Sequence, residues 1–203
     1  MPCRGVVATM AAGISLIVGL GNPGGEYADT RHNAGFRFLE ALLADSGTTL
    51  RSERRFSARL GRVKLAQREL WLMMPMTFMN HSGEAVTSFA RYHKILPEQI
   101  LVVHDDLDLS VGTVRLKLGG GDGGHNGVHD IALQLGSPEF VRLRIGIGRP
   151  PAGADATSYV LKKLPAAEHE LLDAAIRAGL AHVDDIVHGE YQKVMNLLHT
   201  HSS

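Results

Sequence analysis

Cysteine is all but missing: Cys3 is the only one in 203 residues, so no disulfide can form within the chain and a packed core must hold the fold. A single thiol fits a reducing cytosol. Aromatic side chains are scarce too, at 5%, which leaves aliphatic residues to fill that core. Net charge is absent, because 21 basic residues balance 21 acidic ones. No global positive field therefore draws nucleic acid to the protein, and such a partner would have to be held by a local patch. No apolar run reaches the roughly 20 residues needed to span a bilayer. The apolar stretch after Arg4 superficially resembles a signal peptide, yet it runs directly into Leu16-Ile17-Val18-Gly19, a core strand. Residues 1–13 are expected to be an ill-ordered leader, with Met10 an alternative start, and residues 14–203 to form one domain. A soluble, cytoplasmic protein without membrane attachment is the expectation.

What is present is an interleaving of strands and helices. Ile14 to Leu20 is a short apolar run closed by Gly-Asn-Pro-Gly-Gly, a strand and a turn. Phe36, Leu39 and Leu43 recur at helical spacing, with Gly47 as a stop. Arg59 to Leu65 and Glu69 to Met74 predict a strand pair, and Ser82 to His93 a helix. Ile100 to Val103 is a continuous apolar strand of central type, followed by His104-Asp105-Asp106 at its exit. Thr113 to Leu118 and Val141 to Ile147 alternate with period two. A helix carrying Val128, Ile131, Ala132 and Leu135 lies between them. Ala154 to Leu164 predicts a linking turn with a short element, Ala166 to His188 one helix, and Gln192 to Leu198 a last short one. The pattern predicts a single α/β domain on a mixed sheet.

Several segments could carry chemistry. Gly19-Leu20-Gly21-Asn22-Pro23-Gly24 satisfies the G-x-G-x-x-G dinucleotide fingerprint after a strand, which would make the protein a nucleotide-dependent oxidoreductase. The fingerprint also requires a helix at once and an acidic residue closing a second strand. Here Pro23-Gly24-Gly25 prolongs the turn, helical periodicity starts near Ala34, and Glu40 falls inside that helix. Tyr27, Arg31, His32 and Asn33 occupy a loop beyond a strand end, where α/β proteins place their sites. A neutral histidine there can accept a proton, although it can equally be a polar residue opening a helix. Asn80 closes an apolar loop and suits either a site or a cap. One carboxylate of His104-Asp105-Asp106-Leu107-Asp108 could orient a histidine, hold a metal or solvate a turn. A metal reading would gather His104, Asp108, Asp122 and His125. No cysteine in a ligand pattern and no G-x-S-x-G elbow offers a covalent nucleophile.

Gly119-Gly120-Gly121-Asp122-Gly123-Gly124-His125-Asn126-Gly127 is the most unusual stretch. So much glycine before a helix permits close backbone approach to a ligand, and no lysine-serine or lysine-threonine pair follows to make it a P-loop. Arg115 and Lys117 share one strand face, and Arg142 and Arg144 share another. If the two strands are neighbours, four cations meet in a patch; the alternative is solvated sheet surface.

These motifs, in this order, together with Thr30-Arg31-His32-Asn33, Thr77-Phe78-Met79-Asn80 and Arg142-Leu143-Arg144-Ile145-Gly146-Ile147-Gly148, resemble the bacterial peptidyl-tRNA hydrolases from about Leu16 to Leu198. The resemblance implies a monomeric, cofactor-free α/β enzyme with a twisted mixed β-sheet surrounded by helices. It implies hydrolysis of the ester between peptide and tRNA by a water that His32 activates, with Asp105 supporting His32. It further implies that Asn22, Asn80 and Asn126 line the site, that Tyr27, Met79 and His125 touch substrate, and that Lys117 and Arg144 hold a tRNA phosphate. Asp122 departs from the pattern, which more often has histidine or asparagine there, and it would bring negative charge to an RNA-binding loop. A non-catalytic RNA-binding module on the same fold is the alternative.

Overall fold

The computed structural model describes residues 13–44 and 46–200, so the leader expected over residues 1–13 lies, apart from Gly13, outside the described residues. Seven strands form one sheet: β1 (Leu16–Gly19), β2 (Arg51–Glu53), β3 (Ala58–Leu65), β4 (Arg68–Pro75), β5 (Ile100–Asp106), β6 (Val114–Leu118) and β7 (Val141–Gly146). Their spatial order is β2-β3-β4-β1-β5-β7-β6. The four inner strands β4, β1, β5 and β7 run parallel, while β2 and β3 at one edge and β6 at the other pair antiparallel. The sheet is mixed for a readable reason. Inner strands such as β1 and β5 are buried along their whole length, and β5 is apolar on both faces from Ile100 to Val103, whereas β3 and β6 alternate.

Helices cover both faces. α1 (Ala34–Ala44), α5 (Ala166–Leu180), α6 (Val183–His188) and α7 (Tyr191–Thr200) share a core with Ile17, Leu101 and Leu143. α2 (Ser82–His93) and α3 (Asn126–Leu135) share another with Val18, Met73 and Val102. The short α4 (Ala156–Val160) lies in the segment expected to be a linker.

Three expectations change. The helix expected over Ala166 to His188 is two, α5 and α6, because the chain turns at Ala181 and His182 so that Val183, Ile186 and Val187 reach the core. The strand expected to stop at Val103 continues to Asp106, so His104, Asp105 and Asp106 are buried strand residues rather than an exit turn. The exposed edge strand β2 has no apolar alternation and was not expected from the sequence.

The glycine fingerprint serves packing. A Cβ on Gly19 would lie 2.4 Å from the Gly35 carbonyl oxygen, and one on Gly35 would lie 2.3 Å from both the Leu20 nitrogen and the Val103 oxygen. These glycines let α1 sit directly on the ends of β1 and β5. Because backbone cannot swing aside as a side chain can, Gly35→Ala should destabilise by at least the ~1–3 kcal/mol typical of overpacking. Urea titration checks this: the midpoint should fall with the slope unchanged.

Candidate active site

From β1 the chain passes to α1 on one face of the sheet, while from the neighbouring β4 it passes to α2 on the other. Parallel strands whose connections part in this way leave a crevice at their carboxyl ends. A cleft of about 360 Å³ opens there. Its walls come from Asn22 and Tyr27 after β1, Phe78, Met79 and Asn80 after β4, Asp105 and Leu107 at the end of β5, and Gly123 to Asn126 before α3. The segment expected to be a linker supplies the remaining wall through Ala156, Thr157, Val160 and Leu161.

His32 lies in a tight 3-10 turn, Arg31–Asn33, that leads into α1. Its Nδ1 is 2.9 and 3.0 Å from the two oxygens of Asp105. A carboxylate only accepts, so Nδ1 carries the proton and Nε2 is left as the acceptor on the ring. His125 is fixed from both ends. Its Nδ1 accepts from the Val128 N–H at 3.3 Å, capping α3, and its Nε2 donates to Asp105 Oδ1 at 3.0 Å. Asp105 is 2% exposed and receives both imidazoles. Charge decides the protonation here. Burial disfavours the ionised Asp105, but the charges and hydrogen bonds of His32 and His125 prevail and hold its carboxyl well below the usual range. Burial likewise opposes a charged His32, yet the charge and hydrogen bond of Asp105 outweigh it and raise its pKa above the ordinary histidine value. His104 behaves oppositely. It is fully buried, and its pKa is driven well down by that burial and by the charge of His125, so it stays neutral.

Asn22 is held just as firmly. Its N–H donates to Asn33 Oδ1 at 2.8 Å, Asn33 Nδ2 returns a bond to its carbonyl at 3.1 Å, and its own Oδ1 accepts from the Met79 N–H at 2.8 Å. With the oxygen occupied, Asn22 has its amide N–H₂ left to offer the cleft it lines. Asn33 has no place in the expected site set, although it stands in the Thr-Arg-His-Asn motif; its buried side chain sets the Asn22 turn. Arg31 ties the outer wall to the same turn. It pairs with Glu168 at 2.7 Å, bonds the carbonyls of Tyr159 and Lys163, and lies 4.2 Å above the Tyr159 ring.

The cation patch is partly as expected. β6 and β7 are neighbours, with Arg115 opposite Arg144 and Lys117 opposite Arg142. Arg142, however, is 2% exposed, and its guanidinium donates to the carbonyls of Gly120, Gly121 and Pro138. It pins the glycine loop and is not available to a ligand. Arg115 donates to the Leu198 carbonyl. That leaves Lys117, which donates to Gly121 O at 3.1 Å, and Arg144, whose Nε donates to Asp106 Oδ2 at 2.7 Å. Asp122 turns inward on its own loop, accepting from the Gly124 N–H at 2.9 Å and pairing with His129 at 2.8 Å. The glycine loop does not itself open the helix; His125 caps α3.

The metal grouping of His104, Asp108, Asp122 and His125 does not assemble, since Asp108 pairs with Arg149 and Asp122 with His129. Among the described residues, the group with ligand atoms close enough to share an ion is His32, Asp105 and His125. Those atoms are already spent on hydrogen bonds to one another.

The family model for peptidyl-tRNA hydrolase matches residues 16–203. The peptidyl-tRNA hydrolase of Marinomonas sp. (strain MWYL1) is 50% identical over 190 residues, which is 93% of this chain and 98% of that protein. The crystal structure of peptidyl-tRNA hydrolase from Acinetobacter baumannii matches with a TM-score of 0.88 at 47% identity, over 92% of this chain and 95% of its own. A peptidyl-tRNA hydrolase in complex with N-propanol matches at 0.87 and 48% identity, over 91% and 94% of the two chains. The matched span takes in the whole sheet and every wall of the cleft, and the chain belongs to the peptidyl-tRNA hydrolase family.

Proposed function

We propose that this family member hydrolyses the ester joining a peptide, or an N-blocked aminoacyl group, to tRNA, with His32 as the general base. The observation that carries the reading is the His32–Asp105 pair at 2.9 Å on the wall of the cleft. With its Nδ1 proton committed to Asp105, His32 can take a proton from water only at Nε2. The hydroxide so formed adds to the ester carbonyl. Side-chain amides of Asn22, Asn80 and Asn126 line the same cleft and can donate to the developing oxyanion without adding charge. Collapse expels the ribose oxygen, which regains a proton from the His32 imidazolium, leaving free peptide and tRNA. Tyr27, Met79 and His125 line the same cleft, and contact with substrate is proposed for them. Turnover of N-acetyl-aminoacyl-tRNA in the presence of a chelator tests the proposal. Metal-independent cleavage is expected, and tRNA binding without cleavage would instead favour the non-catalytic RNA-binding module.

Lys117 and Arg144 are the cations proposed to hold a tRNA phosphate, and their settings make their removal unequal. Lys117→Ala should raise KM and flatten the salt dependence of binding by about one counterion, with kcat nearly unchanged. Arg144→Ala also strips the partner from Asp106, whose side chain is only 6% exposed, and should cost stability as well as affinity. KM, salt slope and Tm measured on both variants check this. The reading extends to a monomer in the cytoplasm, which sedimentation and cell fractionation test.

A further inference from the structure

We infer that the open edge of the sheet at β2 and β3 is a second RNA-binding surface, suited to a single strand other than the substrate's acceptor end. In a chain with no net charge, residues 51–64 hold six exposed cations, Arg51, Arg54, Arg55, Arg59, Arg62 and Lys64, against one acid, Glu53; Arg59 lies on the face of β3 opposite Arg62 and Lys64, at the same open edge. Arg62 pairs loosely with Glu69 at 3.7 Å; the other five have no ion pair among the described residues. Such a concentration is self-repelling unless a polyanion covers it.

The cations are interleaved with rings. The guanidinium of Arg55 lies 4.0 Å from the centroid of Tyr92, and that of Arg62 lies 4.4 Å from Trp71. His93 sits between, its ring 4.9 Å from Tyr92 and 5.0 Å from Trp71. Tyr92 is 55% exposed despite its size. Five of the six cations are arginines, whose planar forks match phosphate and stack on rings. The exposed ring of Tyr92, with the half-buried Trp71 and His93 beside it, offers unstacked bases a stacking platform that reads no sequence. β2 has a free edge and three exposed residues, and no strand among the described residues covers it. The surface is separate from the active-site cations, because β3 stands five strand spacings from β6, about 24 Å across the sheet. The inference does not rest on the assignment of the active site.

The test uses fluorescence anisotropy of the full chain with a labelled U20 RNA lacking a 5′ phosphate and a CCA end. Wild type should bind with a steep salt dependence. Arg55→Gln/Arg62→Gln should bind at least tenfold more weakly, with the salt slope reduced by about 1.4 for two phosphates on a single strand. Tyr92→Ala should lose about fivefold or more through stacking. Arg51→Gln/Lys64→Gln, which disturbs no ring contact, should weaken binding in the same direction and guards against a folding effect. Lys117→Ala, a single cation of the active-site surface, should weaken U20 binding far less than either double variant does. The inference is overturned if wild type ignores U20, if the double variants bind it as well as wild type does, or if Lys117→Ala produces the same loss. It is overturned equally if phosphatidylserine vesicles, and not U20, respond to these substitutions, since the surface would then serve a membrane.

Discussion

Replacing His32 by alanine is expected to lower kcat by about 10²–10⁴-fold, the range over which a positioned general base acts. Binding should change little, because His32 is a 7% exposed residue on the wall of the cleft and the proposed phosphate contacts lie elsewhere. Stability needs its own measurement. Removing the imidazole leaves Asp105 buried with His125 as its remaining partner, so Tm should fall somewhat even though the fold persists. Single-turnover kinetics on N-acetyl-aminoacyl-tRNA, with Tm measured alongside, separates the two effects. Near-normal turnover in a folded variant would remove His32 from the role of base.

Asp105→Asn probes the same dyad through pH. Only neutral His32 can accept a proton, so kcat/KM should rise with pH through a limb lying above the ordinary histidine value of 6.5. The shift is upward because the charge and hydrogen bond of Asp105 outweigh burial. Without the negative charge, burial alone remains to act, and it disfavours imidazolium. The limb should therefore move toward acid by about 1–3 units, the size expected for losing an adjacent opposite charge. The plateau should fall as well, though by less than in His32→Ala. An asparagine oxygen could still serve the Oδ1 position that both rings share, but its N–H₂ would then face the His32 Nδ1–H where Oδ2 now accepts. A pH profile of kcat/KM from 5 to 9 reads both effects. A variant with a lowered plateau and an unmoved limb would mean that Asp105 orients His32 without setting its charge.

Much of this site is legible in the sequence because its residues stand in short runs with fixed local consequences. A buried apolar strand followed by glycine and asparagine places Asn22 at a strand end. A glycine-rich loop before a helix marks residues 119–127 as a place of close backbone approach, although the capping of α3 by His125 was not legible there. Less legible were roles that depend on which strand lies beside which. Arg142 and Arg144 alternate on β7 with the same sequence signature, yet one is buried under the glycine loop and the other faces Asp106. Nothing in the two-residue period separates them, because the difference arises from the loop that returns over β7. Ala154 to Leu164 has too few apolar residues at one spacing to show where its short element lies, and its place as a cleft wall is held by Arg31, which bonds the carbonyls of Tyr159 and Lys163, 128 and 132 residues away.

Local sequence pattern accounts for the class of fold, the strands and helices with strong periodicity, the lack of an intrachain disulfide, the lack among the described residues of a helix long and apolar enough to cross a membrane, and the set of polar residues from which a site could be built. Those properties follow from local pattern, where each residue's neighbours in the chain suffice. Only the tertiary structure decided that His32 and His125 converge on one carboxylate, that Asp105 and Asp106 serve opposite sides of the same strand, and that the candidate metal ligands are divided among separate pairs. The reason is that protonation and pairing depend on distance and burial, and these are set by contacts between segments far apart in the chain, which no local pattern records.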